Sequence, residues 1–191
     1  MSSLDALRVA LARAAGKNER LVGAFAIAPR APNVVYLAEF NQLAISRDGG
    51  KTWNAVAGTT SSRVSALAIS SANPDIIYAG TESLDLYKST DGGTTWVAMN
   101  QGLGLAPGVR LSVTALAIDP QNPARVYAAR GAWVGTSAAS LLPLGVMLSV
   151  DGGASWQNVN LPATQAAVTR LVISDNHLYA ATPDQVVSIR I

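Results

Sequence analysis

Eight residues are written three times in this chain: Ser46-Arg47-Asp48-Gly49-Gly50-Lys51-Thr52-Trp53, Ser89-Thr90-Asp91-Gly92-Gly93-Thr94-Thr95-Trp96 and Ser149-Val150-Asp151-Gly152-Gly153-Ala154-Ser155-Trp156. Each copy holds Ser, a free position, Asp-Gly-Gly, a second free position, a hydroxyl residue and Trp. The chemistry is that of a tight hairpin. Paired glycines relieve the steric penalty of positive φ. The Asp carboxylate can accept backbone N–H groups inside the turn, as in an Asx turn. The hydroxyls satisfy further turn groups, and a fully buried Trp contributes at most about 4–6 kcal/mol. Turn chemistry therefore accounts for every fixed position, and the set is read as structural: Ser46, Asp48, Gly50, Thr52, Trp53; Ser89, Asp91, Gly93, Thr95, Trp96; Ser149, Asp151, Gly153, Ser155, Trp156.

A second block precedes each copy. Ala24-Phe25-Ala26-Ile27 leads to Val34-Val35-Tyr36, Ala66-Leu67-Ala68-Ile69 to Ile76-Ile77-Tyr78, and Ala115-Leu116-Ala117-Ile118 to Arg125-Val126-Tyr127. A fourth version, Arg170-Leu171-Val172-Ile173, leads to His177-Leu178-Tyr179. The four tyrosines are 42, 49 and 52 residues apart. Short β-branched and aromatic runs at that period fit four-stranded propeller blades. Strands this short form no stable blade alone, so stacking of blade on blade supplies the core.

The octapeptide resembles the Asp-box, or bacterial neuraminidase repeat, S/T-x-D-x-G-x-T/S-W. That repeat occurs in sialidases, sortilin-type receptors, xyloglucan-cleaving glycosidases and a photosystem assembly factor. The resemblance implies an all-β fold with the boxes on the blade periphery, away from the ligand face. The expected architecture is one small β-propeller domain over residues 1–191, with blades at about 20–58, 63–102, 111–161 and 167–191. Three blades carry Asp boxes, and the fourth is incomplete, with neither box nor last strand. Ahead of them, in the segment 1–19, Leu4, Leu7, Leu11 and Ala14 make a helical face, while Leu7, Val9 and Leu11 also alternate as in a strand. A short N-terminal helix and a strand that completes blade four are both open readings.

Composition narrows the classes. Hydrophobic residues make 49% and charged residues 14%, which excludes disorder, and no apolar run reaches the length of a membrane span. The net charge of +2 is scattered and points to no nucleic-acid partner. With no cysteine, thiol catalysis and zinc–thiolate sites are excluded. Each box offers one carboxylate, so no metal and no cofactor is expected. The start lacks the pattern of a signal peptide, which makes a cytoplasmic setting the default and leaves an extracellular one open.

The ligand face of such a propeller lies at its B-to-C and D-to-A connections. Glu39, Asn41, Glu82, Asp85, Arg130, Trp133 and Asp184 fall there. Between Tyr127 and Asp151 lie 23 residues, against 11 and 12 in the two earlier repeats, and the surplus, residues 132–143, is apolar and nearly uncharged. It reads as a long loop covering its own propeller or a partner. No nucleophile motif, phosphate-cradling loop or metal-ligand cluster is present. Lone carboxylates in turns are usually solvated, so the leading expectation is a non-enzymatic binding or scaffold module. Its partner would be a protein or a second copy of the chain, meeting it at the open fourth blade and at the insertion. The alternative is a minimal or truncated glycoside hydrolase or carbohydrate-binding propeller, of sialidase or xyloglucanase type, with Glu39, Glu82 or Asp85 in play.

Overall fold

The computed structural model describes residues 22–39, 42–56, 62–82, 85–104, 110–134, 140–162 and 166–191. The two readings of residues 4–14 lie outside them. Four antiparallel sheets follow one another along the chain. Blade one is β1 (Val22–Ala28), β2 (Ala31–Glu39), β3 (Gln42–Ser46) and β4 (Asn54–Val56). Blade two is β5 (Val64–Ile69), β6 (Ile77–Thr81), β7 (Leu86–Ser89) and β8 (Val97–Ala98). Blade three is β9 (Arg110–Ile118), β10 (Val126–Val134), β11 (Ser140–Ser149) and β12 (Gln157–Val159). Blade four has three strands among the described residues, β13 (Arg170–Ser174), β14 (His177–Ala181) and β15 (Val186–Arg190). This is an all-β propeller, and no helix occurs among the described residues.

Alternation sets the packing, because successive side chains of a strand point to opposite sheet faces. Tyr36 and Ala38 of blade one meet Ile77 and Ala79 of blade two. Ala68 and Tyr78, on the opposite face of blade two, meet Leu116 and Val126 of blade three. Ala117 and Tyr127 in turn meet Leu171 and Leu178 of blade four. Inner blades are thus buried on both faces, and β6 is buried along its whole length. Small residues allow the close approach: a methyl group on Gly80 would sit 2.5 Å from Cβ of Val113 on the next blade.

Blade four breaks this pattern. In β13 and β15 exposed residues alternate with buried or partly covered ones, because only the face bearing Leu171, Leu178 and Ala180 is packed. The first strands pack β1 on β5, β5 on β9 and β9 on β13, but no comparable packing returns from β13 to β1. Among the described residues, then, the last blade does not pack on the first.

The surplus in blade three is a correction to the sequence reading. Its described residues form no loop over the propeller: β10 runs on through Val134 and β11 begins at Ser140, with Gly131 opposite Pro143, Ala132 opposite Leu142 and Trp133 opposite Leu141. An irregularity in register between Ala129 and Gly131, and Gly145 at φ 80°, interrupt the alternation that would have revealed these strands in the sequence.

Candidate functional site

The three Asp boxes adopt one geometry. In each, the first hydroxyl points back to the carboxylate and accepts the N–H of the second glycine: Ser46 Oγ donates to Asp48 Oδ1 at 2.8 Å and accepts Gly50 N–H at 2.7 Å. Ser89 and Ser149 repeat this with Asp91 and Gly93, and with Asp151 and Gly153. The second carboxylate oxygen accepts the hydroxyl of Thr52, Thr95 or Ser155, at 2.7, 2.6 and 2.5 Å. Both glycines of every box sit at positive φ, between 69° and 95°. Hydrogen bonds from Thr95, first through its hydroxyl, and from Ser89 hold the Asp91 carboxyl at about 2. Ser155 and Ser149 hold Asp151 at about 2 as well, and the Thr52 hydroxyl leads those that keep Asp48 well below the usual carboxylate range. These carboxylates are ionised and committed to their turns, so none is a proton donor for catalysis at neutral pH.

The indoles close the turns in two ways. Trp53 and Trp96 donate to the carbonyls of Gly50 and Gly93 in their own boxes, whereas Trp156 reaches back to Met99 of blade two at 2.8 Å. Met99 follows β8, so this indole ties blade three to blade two.

A link that the repeat alone does not announce joins blade to blade. The Tyr36 hydroxyl donates to the Gly92 carbonyl at 3.0 Å, and the Tyr78 hydroxyl to the Gly152 carbonyl at 2.8 Å. Each tyrosine thus reads the box of the following blade. Lys88 Nζ also reaches the Gly152 carbonyl, at 2.9 Å. Burial first, and the Asp151 charge second, push the Tyr78 hydroxyl up to about 12, which keeps it protonated and donating. Equivalent positions in the repeat mark the aligned tyrosines as core side chains and no more. Their regular lead over a Gly-Gly pair one blade later was the available signal.

Tyr127 occupies the same place on blade three, but its hydroxyl has no hydrogen-bond partner among the described residues. The reason lies in register. Ser46, Ser89 and Ser149 face Val35, Ile77 and Val126, each just before a tyrosine. The residue that faces Leu178 is Ile189, and two positions on stands Ile191 where the other blades have Asp. Isoleucine offers neither the hydroxyl nor the carboxylate of the turn. A recess of about 250 Å³ is left beside Tyr127, walled by Arg125, Val150, Ile189 and Ile191.

The candidate ligand-face residues are dispersed. Glu82 pairs with Arg63 at 3.3 Å. Asp85, across the same turn, accepts the Tyr87 hydroxyl at 3.0 Å and the Asn100 amide at 2.7 Å. Asp184 accepts the Thr182 hydroxyl at 2.6 Å in the β14–β15 turn. Glu39 ends β2, and Asn41 lies outside the described residues. Arg130 requires a correction: it is a strand residue of β10, not a loop residue. Its half-buried guanidinium donates to the Leu103 carbonyl, to the Leu144 carbonyl at 3.1 Å and to Asn158 at 3.3 Å. Burial lowers its pKa. Trp133, three residues on, is half-buried in the same strand.

What the fold does gather is a groove along the propeller axis. The first strands of all four blades line about 450 Å³ of space with Phe25, Ser65, Thr114, Thr169 and Arg170 on its walls. Thr114 Oγ1 is buried there without a partner, while Ser65 donates to the Val113 carbonyl at 2.6 Å. Among the described residues no cluster of His, Cys, Asp or Glu could hold a metal ion, and no helix is long and apolar enough to cross a membrane.

Comparison with known proteins adds four findings. Residues 41–178 match the family model described as Sortilin-Vps10, sortilin or neurotensin receptor 3. A xyloglucanase of Paenibacillus sp. is 30% identical over 112 residues, 58% of this chain and 11% of that protein. A probable oligoxyloglucan-reducing end-specific xyloglucanase of Neosartorya fischeri is 24% identical over 163 residues, 75% of this chain and 18% of that protein. Among solved structures, the GH74 enzyme of Niastella koreensis superposes with a TM-score of 0.63 at 26% identity, over 84% of this chain and 26% of that one. The chain spans less than a fifth of the curated relatives it matches.

Proposed function

We propose that this chain, which belongs to the Sortilin-Vps10 family of β-propellers, is a carbohydrate-binding propeller of the xyloglucanase type. The observation that carries this reading is the recurrence of xyloglucanases among its relatives in sequence, with a GH74 enzyme among its neighbours in structure. It favours the carbohydrate alternative over a protein scaffold. The axial groove supports it with chemistry suited to a sugar: a cationic donor at Arg170, an aromatic face at Phe25, and the hydroxyls of Ser65 and Thr169, which donate to the Val113 and Ala181 carbonyls and are left to accept.

Binding, not cleavage, is the activity proposed. Hydrolysis of a glycoside needs a pair of carboxyl groups free to act as acid and as nucleophile or base. Glu82 is held by Arg63, and Asp85 by Tyr87 and Asn100. Affinity electrophoresis in gels containing xyloglucan, with a reducing-sugar assay on the same protein, tests both halves. Retarded migration without sugar release is the expected result. Unretarded migration in xyloglucan and in mixed-linkage glucan would overturn the binding claim. Sugar release that disappears in Glu82→Gln would replace it with the hydrolase.

A further inference from the structure

An Asp followed by Gly is where a peptide chain rearranges most readily. Glycine has no Cβ to shield its amide nitrogen, which attacks the carboxyl carbon of the Asp before it. A cyclic imide forms, and a carboxyl oxygen leaves as water with the amide proton and the carboxyl proton. Water then opens the imide at either carbonyl. One opening restores Asp, and the other gives isoaspartate, in which the main chain runs through the former side-chain carboxyl. Nothing is oxidised or reduced. Three Asp-Gly pairs occur in the sequence, Asp48-Gly49, Asp91-Gly92 and Asp151-Gly152, and all of them lie in Asp boxes. Asp91 and Asp151 are exposed to water, and Asp48 is half-exposed.

The closed box withholds both reacting groups. Each glycine N–H is spent on a carbonyl three residues before its blade's tyrosine: Gly49 on Asn33 at 2.8 Å, Gly92 on Asp75 at 3.0 Å and Gly152 on Ala124 at 2.8 Å. Each carboxylate is held by the residue four positions on, Thr52, Thr95 or Ser155. The backbone N–H of that residue binds Oδ1 and its hydroxyl binds Oδ2. A carboxyl must be protonated to lose water, and these bonds keep Asp91 and Asp151 ionised down to about 2.

We propose that the three Asp-Gly bonds are latent modification sites, sealed while their box is closed and converted to isoaspartate when it opens. The hydroxyl of Thr52, Thr95 or Ser155 is the seal. Isoaspartate adds a methylene to the main chain and sets the carboxylate directly on Cα, so the turn cannot be rebuilt. In blades two and three the glycine carbonyl that receives Tyr36 or Tyr78 is then lost with it. The inference is independent of the carbohydrate reading.

Ageing of the full chain at neutral pH tests it, with peptide mass spectrometry and electron-transfer fragmentation to tell isoaspartate from Asp. In the folded protein Asp48, Asp91 and Asp151 should convert no faster than Asp184, an exposed Asp followed by glutamine. In concentrated urea all three should convert readily. Conversion at any box as fast in the folded chain as in urea overturns the inference. Thr95→Val keeps the shape of the side chain and removes its hydroxyl. Conversion of Asp91 should then rise on the order of 10- to 100-fold, the weight of one hydrogen bond to a charged group, while Asp48 and Asp151 stay unchanged. Thr52→Val should move the rise to Asp48, and Ser155→Ala to Asp151. General loosening of the fold would instead raise all three sites at once. A shared rise in a variant with native β-sheet circular dichroism overturns the inference, and so does no rise at the altered box. If Thr95→Val fails to fold, the other two variants decide in the same way.

Discussion

At the junctions of blades one and two, and of blades two and three, a tyrosine hydroxyl crosses into the Asp-box turn ahead of it. At the junction of blades three and four the tyrosine is present and the turn is not. Both kinds of junction bury aliphatic side chains in continuous clusters, so apolar contact is common to them. They differ in the polar atoms. A box presents its first glycine carbonyl in a fixed direction because Ser and Asp lock the loop, and a buried hydroxyl on the neighbouring blade can then be satisfied. Blade four has Ile189 and Ile191 at those positions and leaves a recess in place of the carbonyl. The box thus does two jobs, holding its own hairpin and giving the previous blade something to bond. Only the first is visible inside a single repeat.

Acidification should separate the junctions most strongly. The carboxyls of Asp91 and Asp151 lie at about 2 in the folded protein, below the value near 3.9 of an unfolded Asp, and that of Asp48 is lowered too. The unfolded chain therefore takes up protons first. The stability these groups contribute is complete above about pH 4 and is lost as pH falls through about 2. A thermal melt followed from pH 5 to pH 2 should fall steeply, and Asp91→Ala, whose melting temperature is already lower at pH 7, should fall less. Parallel curves would remove the boxes from the account.

Next in size is Gly80→Ala, at the junction of blades two and three. Its methyl group meets the Val113 side chain, and overpacking of this kind costs about 1–3 kcal/mol. Denaturant unfolding measures it, and a neutral result would mean that the blades can slide apart. Tyr36→Phe should cost about 1–2 kcal/mol in the same assay, since the Gly92 carbonyl stays buried without a donor. The smallest effect is the most telling. Tyr127→Phe removes a hydroxyl without a partner and should change stability by less than about 0.5 kcal/mol. Equal losses in the two variants would erase the distinction between the junctions.

The boxes, the four tyrosines and the unfinished last blade were legible because each is carried by residues near one another in sequence. The extension of β10 and β11 was not. Gly131, Pro143 and Gly145 break the alternation there, and an apolar run without period resembles a loop. Arg130 was misplaced for a related reason, since a charged residue deep in a strand is rare unless carbonyls surround its head. The missing contact between β13 and β1 among the described residues was illegible as well, because it depends on which face of β13 meets a neighbour, and no residue spacing within one blade encodes that.

The tyrosine-to-glycine bond also bears on how such a chain can change length. Donor and acceptor lie in consecutive blades at corresponding places, so cutting out or splicing in one whole box-bearing blade rejoins a tyrosine to a Gly-Gly turn of the same shape. Blade number can then drift in single steps without a new interface having to be invented. The last blade, which lacks the turn, is the one module that cannot be moved inward without breaking the series.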